Sequence, residues 1–337
     1  MANGFSSQAA SISVLLAPGY NMAATLAFID PFRAANYLSG APFYRWALFG
    51  VGDGAPRASN GLTIDVQPLA EAAAPPDYGV VSTSWTPEMS YGALAPVIRR
   101  WARHGTRLVG LDTGAFALAD AGVLDGRRAT AHYEHIDAFA ETFPRVVVSE
   151  DLHTADGPVF TASGGGGATD LALRIIGDEH GAALANAAAR YLFHERIRPE
   201  GERQLPAGEP IGAGAPDLVR AAIAEMEAHL EQVVRIPEIA ARLGVAQRRL
   251  ERAFRRHVGK TPARYYAEIR LDRARGLVIQ TEMAVSEIAL ACGFAGAEQF
   301  SRAYAKRFGA PPRADRQRGR VPFEFRAWPM HEKGATL

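Results

Sequence analysis

The sequence predicts an α/β fold built on a doubly wound, mainly parallel sheet, followed by an all-α domain with two helix-turn-helix units. Three observations predict it. Short β-rich runs alternate with helical patterns from residue 11 to about 200, which implies βαβ units. A Pro/Gly-rich stretch over residues 200–216 then reads as a linker. Beyond it, residues 217–310 carry helical periodicity almost throughout, and one helix–glycine–helix pattern is written twice.

In the first part the candidate strands are Ile12–Ala17, Arg45–Gly50, Tyr78–Ser82, Arg107–Leu111 and Val146–Ser149. The candidate helices are Ala24–Leu38, Tyr91–His104, Ala115–Ala121, Ile136–Phe143 and Ala168–His180. Ligands of such folds sit at the C-terminal ends of the strands. Residues 1–10 read as a disordered leader, 11–199 as the α/β domain, 217–318 as the helical domain and 319–337 as a poorly ordered tail. Pro311-Pro312 is expected to end the last helix, since proline cannot continue one.

The chain has 337 residues and is 48% hydrophobic and 22% charged, enough for two or three soluble domains. Its net charge of +1 hides a polarity. Residues 216–320 hold 20 Lys+Arg against 12 Asp+Glu, whereas residues 1–215 hold 15 against 22. A basic module joined to an acidic one places any polyanion on the C-terminal part. One cysteine, Cys292, allows no internal disulfide and fits a cytoplasmic protein. No secretory signal and no apolar run of about 18 residues is present, so a membrane partner is not expected.

The duplicated pattern pairs Glu238–Val245 with Glu287–Phe294, each an amphipathic helix closed by a glycine. Second helices follow at Gln247–His257 and Glu298–Arg307. Leu250 and Phe254 face the first core, leaving Gln247, Arg248, Glu251, Arg252 and Arg255 outside. In the second unit Phe294, Phe300 and Tyr304 pack, leaving Ala297, Glu298, Ser301 and Arg302 outside. The helix between the units, Pro262–Gln280, would act as a rigid spacer. Two such helices can enter successive major grooves about 34 Å apart. Arginine suits bidentate contact with guanine, and Arg256, Lys260 and Arg264 are expected on phosphates. The bland alternative is that these charges only solvate helix faces.

The segments "IPEIAARLGVAQRRLERAFRRHVGKTPARYYAEIRLDRARGLV" and "VSEIALACGFAGAEQFSRAYAKRFGAPP" closely resemble the AraC/XylS-type regulator domain over residues 217–318. The match includes Arg248, Leu250, Arg252, Phe254, Gly259 and Pro262, the Ala-Cys-Gly-Phe run and the final Phe-Gly-x-x-Pro. The resemblance implies a transcriptional regulator, often an activator. It would bind double-stranded promoter DNA as a homodimer, with RNA polymerase as a partner.

The second informative stretch is "LDTGAFALADAGVLDGRRATAHY", Leu111 to Tyr133. Asp112 falls at a sharp strand-to-helix turn, which presents its side chain at the mouth of the sheet. The helix N-terminus would keep the carboxylate ionised. Whether Asp112 caps the helix or binds a ligand stays open on spacing alone.

Residues 11–195 resemble the PfpI-type, class I glutamine-amidotransferase-like fold. In catalytic members the elbow holds a cysteine, with a histidine some twenty residues on and an acid from the first helix. By resemblance these positions are Asp112, His132 and Asp30, with Thr113 beside the elbow. The nucleophile is missing, so the resemblance implies a domain that binds an effector and is not an enzyme. The phrases "PFRAANYLSG", "YRWALFG", "RASNGL", "SGGGGATDLALRII" and "YLFHERIR" look most like regulators of quaternary-amine catabolism that sense betaine, carnitine or related compounds, with arginine-responsive relatives similar. Two carboxylates, Asp30 and Asp112, would favour a cation between them. Trp85 and Tyr20 would sit at the same end of the sheet, as an aromatic cage or as packing residues.

The glycine run Ser163–Gly167 lacks the Lys-Ser/Thr of a nucleotide loop and reads as close backbone packing. His132, His135, His153 and His180 show no metal-site spacing, and no cofactor is expected. The leading reading is therefore a ligand-responsive, sequence-specific DNA-binding regulator. Its rival is a PfpI-type hydrolase or amidase tethered to DNA.

Overall fold

The computed structural model describes residues 9–52, 54–84, 91–204 and 216–318. They divide into two compact units that part after Gln204.

The first unit runs β1 (Ala10–Leu16), α1 (Met22–Ser39), β2 (Tyr44–Gly50), β3 (Gln67–Pro68), β4 (Tyr78–Thr83), α2 (Ala95–Arg103), β5 (Arg107–Asp112) and α3 (Gly114–Asp120). It continues through β6 (Arg128–Ala129), α4 (Ile136–Thr142), β7 (Val147–Val148), β8 (His153–Asp156), β9 (Val159–Ala162), α5 (Gly165–His180) and α6 (Ala182–Tyr191). Seven strands form one sheet in the order β3-β2-β1-β4-β5-β9-β8, parallel except where β8 pairs with β9. The pleat sorts its residues onto two cores. Ile12, Val14, Leu16, Val80, Val109 and Leu111 pack with Phe28, Phe32, Leu171 and Ile175 of α1 and α5. Leu15, Val81 and Leu108 pack with Ile98, Trp101, Phe116 and Phe139 on the opposite face. This is the doubly wound arrangement that the alternation predicts.

Three expectations are corrected. Val146–Ser149 is not a strand of the main sheet: Val147–Val148 pairs with β6 in a separate two-stranded sheet. The hairpin β8–β9 supplies the missing strand. Helix α5 starts at Gly165 rather than Ala168. Residues 200–204, expected in the linker, pack on the first unit. Glu200 pairs with Arg128 and Arg174, and Gln204 Nε2 donates to Ala131 O at 2.9 Å. The leader and tail lie mainly or wholly outside the described residues, as do residues 205–215.

Helix α1 contains Pro31, which has no N–H for the carbonyl of Ala27. Thr169 of α5 supplies the donor instead, 3.2 Å from Ala27 O. The break is thereby satisfied across the α1–α5 contact, where the carbonyl is partly buried.

The second unit comprises α7 (Asp217–Glu227), α8 (Ile236–Arg242), α9 (Gln247–His257), α10 (Pro262–Gln280), α11 (Val285–Ala291), α12 (Ala297–Phe308) and α13 (Pro312–Arg318). It has two hydrophobic cores. Leu250 and Phe254 of α9 pack with Ile239 and Ala240 of α8 and with Val219, Ile223 and Met226 of α7. Phe300 and Tyr304 of α12 pack with Ile288 and Ala289 of α11 and with Cys292 just after it. Helix α10 enters both, through Tyr265, Tyr266 and Ile269 in the first and Leu271, Leu277 and Val278 in the second. It is thus the spacer the sequence suggests. Pro311-Pro312 does not end the helical region, because proline is tolerated in the first turn of a new helix, here α13. Asp315 of that helix accepts from Arg275 at 3.0 Å and from the Tyr304 hydroxyl at 2.7 Å.

Candidate functional site

The second unit presents a charged surface that its own packing does not use. With Leu250 and Phe254 buried, Arg248, Arg252 and Arg255 stand exposed at i, i+4 and i+7, one stripe along α9. None of the three has an ion-pair or hydrogen-bond partner among the described residues. Like charges at this spacing destabilise a helix by a few tenths of a kcal/mol each, roughly 0.2–0.5. A polyanion would reverse the sign of that contribution. Gln247 and Glu251, the acidic residue within the stripe, bond to each other at 2.8 Å.

On α12, Arg302 and Glu298 are exposed and form an i,i+4 pair at 3.3 Å, open enough to exchange partners. Ala297 and Ser301 are half-buried beside them. Other basic residues are committed within the unit. Arg307 makes a bidentate pair with Asp272 at 2.7 and 2.8 Å. Lys260 and Arg264, expected on phosphates, both hold Glu268, at 2.9 and 3.0 Å. Among the described residues the free arginines are therefore concentrated on α9, the first of the two reader helices the sequence suggests.

In the first unit the turn from β5 to α3 forms the predicted elbow. Asp112 adopts φ 58°, left-handed backbone that a non-glycine residue rarely takes, and is 2% exposed. Gly114 makes the turn possible, since a Cβ there would lie 2.0 Å from the Val81 carbonyl oxygen. Thr113 anchors the elbow to β4: its hydroxyl donates to Thr83 O at 2.7 Å.

Asn21 Nδ2 donates to Asp112 Oδ2 at 2.5 Å. Asn21 is the N-cap of α1, and its own Oδ1 accepts from Ala24 N at 3.0 Å. Gly164, the N-cap of α5, closes the same side, since a Cβ on it would lie 3.1 Å from Asp112 Oδ2. The other carboxylate oxygen, Asp112 Oδ1, is buried without a hydrogen-bond partner among the described residues. Burial pushes the Asp112 carboxyl up to about 6, against hydrogen bonds from Asn21 and the Thr113 backbone that hold it down. The carboxylate expected to stay ionised is thus ionised at neutral pH but gains a proton in mild acid. Desolvation outweighs the favourable dipole.

The structure does not bring Asp30 to the elbow. Asp30 lies on the exposed face of α1 and pairs with Arg33 at 2.9 Å. It sits in the third turn of α1, whereas the elbow meets the helix at its first residues. Asn21 is the α1 residue that sequence reasoning missed, although an Asn just before a helical pattern is a recognisable N-cap signal. His132 is half-buried and caps the short 3-10 turn Tyr133–His135, its Nδ1 accepting from Glu134 N at 3.4 Å. Tyr20 is fully buried, and its hydroxyl has no hydrogen-bond partner among the described residues. Trp85 lies outside the described residues. Cys292, the sole thiol, is buried in the second unit.

Comparison with known proteins gives both units relatives. A protein-family model described as a helix-turn-helix domain matches residues 239–318. The HTH-type transcriptional regulator CdhR of Pseudomonas aeruginosa is 39% identical over 304 residues, 90% of each chain. GbdR of the same species, also named an HTH-type transcriptional regulator, is 37% identical over 309 residues, covering 91% of this chain and 84% of its own. The crystal structure of an AraC family transcriptional regulator from Pseudomonas putida superposes with a TM-score of 0.50 at 24% identity. It covers 54% of this chain and 99% of its own, a likeness of fold.

Proposed function

The chain belongs to the AraC-type family of helix-turn-helix transcriptional regulators that carry a PfpI-like α/β domain, and on that premise we propose that its first unit is the sensor for a small cationic effector. One observation carries this reading: a buried carboxylate at a strained elbow keeps one oxygen without a partner among the described residues. Strain and an unmet polar group together mark a site kept for function. The effector classes that fit are amino acids and quaternary or simpler amines.

An aspartate stands where a catalytic relative would carry its thiol, so the elbow binds rather than cleaves. Its partner from α1 is an amide, which cannot act as a general acid or base near neutral pH. In this reading the effector changes the population of a DNA-competent homodimer at repeated promoter sites, and the regulator acts on RNA polymerase there. Arg248, Arg252 and Arg255 of α9 read one groove, and Glu298, Ser301 and Arg302 of α12 read the next.

A thermal-shift screen of small amines, amino acids and betaines tests the proposal, run on the full chain and on Asp112→Asn. A cation that stabilises the wild type, fails on the variant and alters a promoter mobility shift supports it. Turnover of an amide or ester that Asp112→Asn abolishes would support the hydrolase reading instead.

A further inference from the structure

We propose that the effector's cationic end carries at least one N–H donor, so that the elbow takes a protonated amine or a guanidinium and discriminates against a fully methylated nitrogen. The proposal rests on the reading of the elbow as the effector site and narrows its ligand class.

The two oxygens of Asp112 are not equivalent. Oδ2 already accepts from Asn21 and faces Gly164. Oδ1 is buried and partnerless among the described residues. None of the described side chains donates to it, and the Thr113 backbone N–H that helps hold the carboxyl down does not satisfy Oδ1. Asn21 is held by Ala24 N as the α1 cap and cannot turn without losing that bond. The Thr113 hydroxyl donates to Thr83 O, and the Thr83 hydroxyl donates to Ser84 O at 2.9 Å. The Thr25 hydroxyl lies 2.9 Å from both Asn21 O and Ser82 Oγ.

An acceptor left unmade in a buried site is relieved by a hydrogen bond, which a nearby positive charge does not replace. A quaternary ammonium spreads its charge over methyl groups and offers no donor. It gains Coulomb attraction but leaves Oδ1 desolvated and unpaired. A trimethylated nitrogen with one N–H satisfies the acceptor at almost the same size. Sites built around a hydrogen bond reject analogues that cannot make it.

The test titrates the full chain with the chlorides of methyl-, dimethyl-, trimethyl- and tetramethylammonium and of tert-butylammonium, following the thermal transition at pH 7.5. Trimethylammonium is expected to half-saturate at a concentration roughly 10- to 100-fold below tetramethylammonium. The tert-butylammonium ion is an isomer of tetramethylammonium and nearly the same size but keeps three N–H groups, and it is expected to bind. Tetramethylammonium binding as tightly as trimethylammonium would overturn the proposal, as would silence from tert-butylammonium. In Asp112→Asn the preference for N–H is expected to vanish. If that variant binds every cation as the wild type does, the cation lies elsewhere and the effector-site reading itself falls. If no cation shifts the wild type, both fall. The wild-type comparison stands even if the variant does not fold.

Discussion

The amide of Asn21 and the carboxylate of Asp112 meet at 2.5 Å across 91 residues of chain. The bond ties the N-cap of α1 to the end of β5 and decides which carboxylate oxygen stays open. The fold holds that carboxylate dry and in left-handed backbone, both unfavourable in themselves. Asp112 is therefore a place where stability is given up, as the proposed effector site requires.

Asp112→Asn should stabilise the first unit at neutral pH. The folded carboxyl titrates near 6, above its ordinary 3.8, so the native state holds this proton more tightly than the unfolded chain. The stability it contributes is present below about pH 4 and is lost as pH rises through 6. The loss is on the order of 2–3 kcal/mol. Urea unfolding at pH 4.5 and 7.5 reads the difference. The wild type should lose more stability than the variant across this interval, and equal losses would mean that Asp112 is not the group responsible.

If the proposed effector is a cation held by Asp112, the same titration sets how it binds. A cation favours the ionised carboxyl, so binding should release a proton where Asp112 is protonated. Affinity should be flat above pH 7 and fall up to tenfold per unit below about 6. Calorimetry in two buffers of different ionisation enthalpy counts the proton. No release at pH 5.5 would place the cation away from Asp112.

The two helix-turn-helix glycines should respond unequally to alanine. Both take left-handed backbone, φ 66° at Gly244 and φ 68° at Gly293. A Cβ at Gly244 would meet open space, whereas one at Gly293 would lie 2.7 Å from Leu230 O and 2.9 Å from Glu231 O. Gly244→Ala is expected to cost about 1–2 kcal/mol, the left-handed penalty alone. Gly293→Ala should cost clearly more, because backbone atoms must move. Denaturation of the two variants decides it, and equal costs would contradict the packing described around the second turn.

Much of this was legible in the sequence, and the reasons are physical. Helices α9 and α10 agree with the sequence reading to the residue, because Leu250, Phe254, Tyr265 and Ile269 recur at helical spacing between strong stops. The longer parallel strands were legible as largely apolar runs set between helical patterns. The hairpin β8–β9 was not, since its four-residue strands are polar on one face. Its Asp156-Gly157 turn, with Gly157 at φ 59°, was the available signal. The elbow at Asp112 was legible, but its partner was not. Asp30 attracts attention as a carboxylate on the right helix, yet a helix is long, and its exposed face and its end serve different purposes. Which of Arg256, Lys260 and Arg264 stays free also depends on where Glu268 lies in three dimensions, which no local pattern encodes.

The most direct test of the central claim is a hydroxyl-radical footprint on a duplex selected by the full chain, comparing Arg252→Ala with Arg302→Ala. The wild type should protect two segments about 34 Å apart on one face. Each variant should lose one segment, a different one, with binding weakened roughly 5- to 150-fold. Loss of the same segment in both variants, or unchanged protection in both, would contradict a protein that reads DNA with α9 and α12.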